Sequence, residues 1–188
     1  MSIFTKRDRS LVNPVEIVRH FLHQRGVKSV LEIGCGEGGI LEQMEGFPVR
    51  EGIDWSGERL TAAWARNLEN VAFKMGDITQ LDTLYSPKQF DAVLAFDVLE
   101  HFEKDVSWKV LEMAENIASR YVVVWGPLGL EGMTEYTPAP EIDQKDMRHL
   151  CVLEEPEFVE RGYFTMIFPS YWISWPANAL LAFKKVGV

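Results

Sequence analysis

Apolar positions along the chain fall at two spacings that alternate from residue 13 almost to the end. Ile17, Val18, Phe21 and Leu22 lie at helical spacing behind Asn13-Pro14-Val15-Glu16. Asn13 suits a helix cap, Pro14 the first helical position, and Glu16 the reciprocal site three residues on. Gly26 then ends the helix. Residues 29–33 form a short apolar run that predicts a first strand, followed by a helix over about 38–45. Residues 49–54 predict a second strand, and Ser56 can cap a helix whose inner face is Leu60, Trp64 and Leu68. Residues 71–75 predict a third strand. Residues 90–96 are almost unbroken apolar, as expected of a parallel strand covered on both faces. Val106, Val110, Leu111, Ala114 and Ile117 mark the next helix, and residues 121–125 a fifth strand.

The rhythm then breaks. Residues 126–153 hold Gly126, Pro127, Gly129, Gly132, Pro138 and Pro140 and few apolar runs. A stretch of this length between elements is usually functional or mobile, and here it is expected to be a substrate-side insertion. A short helix at 156–161, closed by Gly162, precedes two last strands at 163–168 and 179–184. Their link of about ten residues is too short for a crossover helix, which predicts antiparallel pairing. The whole pattern predicts an α/β, doubly wound, mostly parallel sheet with helices on both faces. The 188 residues read as a single domain, 1–188, with residues 1–12 as an N-terminal arm.

Composition narrows the setting. The chain is 47% hydrophobic and 25% charged, with a net charge of −9. An acidic surface disfavours nucleic acid, which calls for a basic one; the one basic cluster, Lys6-Arg7-Asp8-Arg9, suits a solvated arm. No apolar run approaches a membrane span, and the polar start lacks a signal region. Cys35 and Cys151 form no C-x-x-C pair. A cytoplasmic setting is expected.

The candidate chemistry begins at Val30-Leu31-Glu32-Ile33-Gly34-Cys35-Gly36-Glu37-Gly38-Gly39. An apolar strand stopped by glycines lets the backbone turn sharply and approach a ligand, and the N–H groups of the helix behind it favour a polar one. Two readings of these glycines stand open. Gly34, Gly36 and Gly39 satisfy the dinucleotide fingerprint G-x-G-x-x-G. Glu32, Gly34, Gly36 and Gly38 satisfy E-x-G-x-G-x-G. Asp54 closes the second strand, where an acid can accept from ribose hydroxyls. Trp55 beside it can lie against an adenine face or serve as a rim aromatic. Asp77, with Ile78, closes the third strand, where it can meet an adenine amino group or cap the next helix.

The motif Phe90-Asp91-Ala92-Val93-Leu94-Ala95-Phe96-Asp97-Val98-Leu99-Glu100-His101 completes the set. With Glu32 and Asp77, it resembles the class I S-adenosylmethionine-dependent methyltransferases of the small-molecule type. The resemblance covers residue 13 to about 125 well and the remainder more loosely. It implies a seven-stranded Rossmann-like sheet with one antiparallel strand and S-adenosyl-L-methionine as cofactor, S-adenosyl-L-homocysteine being the product. It implies that Glu32, Gly34, Cys35, Gly36 and Gly38 surround the methionine portion, that Asp54 binds the ribose, and that Asp77 and Ile78 meet the adenine. Phe96 and Asp97 would border the methionine and the substrate. The expected reaction moves a methyl group to an oxygen or nitrogen of a small-molecule or glycan-like acceptor. A non-catalytic binding protein of the same fold and a nicotinamide oxidoreductase are the alternatives.

His101 and His149 are the candidate bases, since histidine titrates near neutrality. No metal constellation shows in the sequence, where Glu100, Glu103 and Asp105 read as the charged first turn of a helix. Tyr171, Trp172 and Trp175, between the last two strands, are candidates for a homodimer or partner contact, or for a cover over the sheet.

Overall fold

Strands that carry apolar residues on both faces need layers on both sides, and the chain supplies them. The structure is a computed structural model that describes residues 13–128, 149–169, 171 and 178–187. Helix α1 (Pro14–Gln24) leads into β1 (Ser29–Ile33), α2 (Gly39–Gln43), β2 (Val49–Asp54), α3 (Gly57–Ala65), β3 (Val71–Met75), α4 (Leu81–Leu84), β4 (Phe90–Phe96), α5 (Lys104–Ile117) and β5 (Ala118–Leu128). Helix α6 (Glu155–Glu160), β6 (Phe164–Phe168) and β7 (Asn178–Lys185) complete the described chain. The strands form one seven-stranded sheet in the order β3-β2-β1-β4-β5-β7-β6. Strand β7 runs antiparallel to both its neighbours, and the pairs among β1 to β5 are parallel. This is the expected Rossmann-like methyltransferase architecture.

Each face of the sheet carries its own core. On one face Val15, Val18 and Leu22 of α1, Leu41 of α2 and Leu60 of α3 pack on Val30, Leu94, Val123 and Leu181. On the other, Leu81 of α4, Val110, Leu111 and Ile117 of α5 and Phe158 of α6 pack on Leu31, Ile33, Val93, Val122 and Leu180. The caps read from sequence hold: the Asn13 side chain accepts from the Val15 N–H, and that of Ser56 from the Arg59 N–H.

Two expectations need correction. The inner face of α3 is Leu60 and Ala63, whereas Trp64 is exposed and Leu68 lies beyond the helix. A Cβ on Gly38 would meet the Phe73 ring first, at 2.6 Å, and the Ala63 methyl group at ordinary contact distance, 3.6 Å, so the small Ala63 is the residue of α3 that faces the glycine loop. Strand β5 also extends to Leu128, so the insertion cannot begin at Gly126. Gly126, Pro127 and Leu128 pair with Leu180, Ala179 and Asn178 of β7, while β4 ends its pairing at Trp125. Pro127 thus lies where β5 has one neighbouring strand, a position that tolerates a missing N–H.

Asp91 plays a part that its motif does not announce. One of its carboxylate oxygens accepts from the N–H groups of Lys28 at 2.6 Å and Ser29 at 3.3 Å, and the other from the Ser119 hydroxyl at 3.3 Å. Its own N–H donates to the Ser29 hydroxyl at 2.8 Å. The residue ties β1, β4 and β5 together at their amino ends, opposite the glycine loop. Asp91→Ala should therefore cost about 1–3 kcal/mol of unfolding free energy and leave affinity for S-adenosylhomocysteine within about twofold. Denaturant unfolding and titration calorimetry check the two halves separately, and a large loss of affinity in a folded variant would refute this placement.

Candidate active site

The loop after β1 is fixed by β2. The N–H groups of Gly34 and Cys35 both donate to the Ile53 carbonyl, at 2.8 and 3.0 Å. The chain turns there with Gly34 at φ 71°, and a Cβ on Gly34 would be driven into the Val98 side chain. Gly36, at φ 50°, faces open space where a ligand can approach its backbone. Gly38 caps α2 without a side chain. Cys35 is buried, and burial raises its thiol far above the usual value, so it stays protonated and fills space.

Two carboxylates stand beneath this loop. Asp54 accepts from the Gly36 N–H at 2.8 Å through one oxygen and from the Ser56 N–H at 2.9 Å through the other. Each oxygen has a second lone pair, so the carboxylate is oriented rather than saturated. Glu32 is 1% exposed, and its Oε2 is buried without a hydrogen-bond partner. Burial raises its pKa well above the ordinary value, with the negative charge of Asp54 adding to the effect. A buried acceptor left unpaired is costly, and here it borders a loop open on its other side.

The other expected residues divide between rim and core. Trp55 and Met75 are exposed at the carboxyl ends of β2 and β3. Asp77 caps the short 3-10 turn Ile78–Gln80, its Oδ1 accepting from the N–H and hydroxyl of Thr79 at 2.8 Å each. Ile78 and Phe96 are both buried in the cores, at 5% exposure, and present little surface to a ligand.

The end of β4 gathers the remaining polar groups. Asp97 turns the chain at φ 46°, an uncommon conformation for a residue with a side chain, and its N–H donates to the Trp125 carbonyl at 2.9 Å. A 3-10 turn, Leu99–His101, follows. Glu100 is buried in it, ahead of α5, which corrects its assignment to the charged first turn of a helix with Glu103 and Asp105. Residues 97–100 continue the apolar run of β4 with Val98 and Leu99, and that is the signal that pointed inward. Burial raises the carboxyls of both Asp97 and Glu100, and the neighbouring Asp97 charge raises Glu100 further. Asp97 is exposed as a residue, so it is the packed protein behind its carboxyl that has this effect.

His149 reaches the same place from far along the chain. The Glu100 carbonyl accepts the N–H groups of Leu150 at 2.7 Å and Cys151 at 3.3 Å, which pins the returning segment to the turn. The His101 and His149 rings lie 5.1 Å apart at 75°. Burial and the neighbouring His101 lower His149 to about 4, so its imidazole is neutral at physiological pH.

The family model of a methyltransferase domain matches residues 25–122, more than half of the chain. The chain belongs to this family. Membership resolves the choice left open by the glycine spacing, and the methyl donor of the family is S-adenosylmethionine. Among solved structures, the methyltransferase domain of a bacterial Hen1, CtHen1-C, is 18% identical with a TM-score of 0.66, covering 93% of this chain and 97% of that one. Magnesium protoporphyrin IX methyltransferase (ChlM) from Synechocystis PCC 6803, with bound SAH, is 16% identical with a TM-score of 0.67, covering 92% and 82%. The N-methyltransferase NodS from Bradyrhizobium japonicum WM9 is 18% identical with a TM-score of 0.61, covering 94% and 98%. Likeness at these identities establishes the shared fold. No curated protein matches the chain in sequence.

Tyr171, just beyond β6, packs edge-on against Trp125 with centroids 4.9 Å apart, a contact within the chain. Trp172 and Trp175 lie outside the described residues, as do residues 1–12 and 129–148. Among the described residues, no helix is long and apolar enough to cross a membrane.

Glu32 yields a pH prediction. Because its pKa is raised on folding, the folded chain holds this proton more tightly than the unfolded one. Stability is then greatest below the ordinary carboxylate range and falls as pH rises from that range toward the folded-state value. Glu32→Gln removes this penalty and should stabilise the ligand-free chain at pH 8 by about 1–3 kcal/mol, with the gain vanishing near pH 4. Denaturant unfolding at the two pH values measures it. A variant no more stable than the parent at pH 8 would show that Glu32 is not a buried charge awaiting a partner.

Proposed function

We propose that the chain transfers a methyl group from S-adenosylmethionine to an oxygen or nitrogen of a small-molecule or glycan-like acceptor. The observation that carries the cofactor's placement is the unpartnered, buried Glu32 Oε2 beside the open backbone of Gly36. A ligand that supplies a positively charged amine and a ribose fits this pair of acids: Glu32 and the loop from Gly34 to Gly38 hold the amino-acid portion, and Asp54 accepts from the ribose hydroxyls. Asp77, and the exposed Trp55 and Met75, border the base. Switch-point geometry favours the same place, since ligands of open α/β sheets lie outside the carboxyl ends of the strands, where the strand order reverses. Here the reversal falls between β1 and β4.

When bound, the cofactor supplies a methyl group already made electrophilic by a sulfonium charge. What the protein must add is in-line positioning and removal of the acceptor's proton. The turn at Asp97, Glu100 and His101, joined by His149, lies at the same end of the sheet as the glycine loop. It is the proposed acceptor side, with His101 and His149 as the groups at which the proton is taken. The −9 net charge supports a small acceptor over nucleic acid, and Trp172 and Trp175 remain a candidate contact for a second copy.

Titration calorimetry with S-adenosylhomocysteine, and NADH in parallel, tests this reading. Binding of S-adenosylhomocysteine alone is expected, and Asp54→Ala should weaken it by about 1–3 kcal/mol. An undiminished affinity in a folded Asp54→Ala chain would sink the ribose assignment. Tight binding without transfer to any acceptor in a broad screen would favour a non-catalytic role instead.

A further inference from the structure

Glu100, His101 and His149 each offer one ligand atom, and the three atoms lie within 4.8 Å of one another. They arrive by two separate routes. Glu100 and His101 stand on the turn that ends β4, and His149 is carried in by the backbone bonds from Leu150 and Cys151 to the Glu100 carbonyl. Two features set the group apart from polar side chains that merely meet. His149 Nδ1 is buried with no hydrogen-bond partner. The Glu100 carboxylate is also buried, and among the described residues no lysine or arginine forms an ion pair with it. Buried acceptors without donors or counter-charges are rare unless something cationic serves both.

We propose that this cluster binds one divalent cation of the zinc or iron(II) kind, and that the cation receives an oxygen of the methyl acceptor. Two imidazoles and one carboxylate are a donor set suited to such ions, whereas magnesium and calcium favour oxygen alone. Three protein ligands leave coordination positions for water or substrate, as in open catalytic sites. Ligand atoms lie about 2.0–2.2 Å from such an ion, so donors now within reach of one another need draw in by only about 1 Å. The glycine loop and this cluster both stand at the carboxyl ends of the strands, which sets the cation beside the proposed cofactor.

The inference rests on the reading of this cleft as the acceptor side, and it narrows the acceptor to one that presents a coordinating oxygen, such as a hydroxyl. The cation's charge holds that oxygen as its anion, the proton passing to solvent. The oxygen keeps the lone pair that forms the new bond to the methyl carbon, while the bond from that carbon to the sulfonium sulfur breaks and its electron pair stays on sulfur, leaving a neutral thioether. His101 and His149 then serve as ligands rather than as bases.

The test uses the full chain, stripped with a chelator and dialysed. Zn2+ is titrated by calorimetry, with Mg2+ as the control, and Co2+ is followed by visible absorption. We expect one Zn2+ per chain, no comparable Mg2+ binding, and ligand-field bands from Co2+. His101→Ala and His149→Ala should each weaken Zn2+ binding at least tenfold while affinity for S-adenosylhomocysteine stays within twofold, which also shows that the variants fold. Absence of saturable Zn2+ binding overturns the site. So does binding that survives both substitutions undiminished, which would place the ion on an exposed histidine such as His20. The cofactor reading fails separately: a chain that binds Zn2+ through these residues but not S-adenosylhomocysteine keeps the metal site and loses the cofactor assignment.

Discussion

The carbonyl of Ile53 takes two hydrogen bonds, from the N–H groups of Gly34 and Cys35, and the rest of the site follows from that join. It holds the end of β1 against the end of β2 and forces the chain to turn at once. The turn demands positive φ values that glycine meets cheaply. It brings the Gly36 N–H onto Asp54, which orients the one acid expected at the ribose. It also closes Glu32 beneath the loop. Two acids thus stand close together in a place where neither has a basic partner among the described residues. A protein that builds this arrangement gives up stability there, a trade commonly met at functional sites.

The motif that ends in Glu100-His101 performs two jobs at opposite ends of one strand. Asp91, at the amino end of β4, accepts backbone N–H groups from the start of β1 and the hydroxyl of Ser119, so it fixes register in a parallel sheet. Asp97, at the carboxyl end, turns the chain through a left-handed conformation and aims the next four residues across the top of the sheet. Five apolar positions separate the structural Asp91 from Asp97. Spacing alone cannot tell them apart, because both sit where an apolar run meets polar sequence.

Glu100 joins fold to chemistry in a second way. Its carbonyl receives the N–H groups of Leu150 and Cys151, so the peptide unit that presents its carboxylate also anchors the returning segment. That clasp sets His149 beside His101. The β5 extension through Pro127 and Leu128 works to the same end. Pairing with β7 carries β5 past the end of β4, and Gly126 passes close to the Glu100 carboxylate.

The alternation of apolar spacings determined the order of elements and the parallel sheet, because a strand buried on both faces and an amphipathic helix leave different periodicities in the chain. The glycines after β1, Asp54 after β2 and the cap role of Asp77 were legible for the same reason: each answers a local backbone need. The inner face of α3 was not, since helical spacing lets either residue 63 or residue 64 share a face with Leu60, and the packing takes Ala63. Nor was the burial of Glu100 or the meeting of His101 with His149. Those depend on hydrogen bonds between residues some fifty positions apart, and no local pattern encodes a contact whose partner is chosen by the packing of the whole sheet.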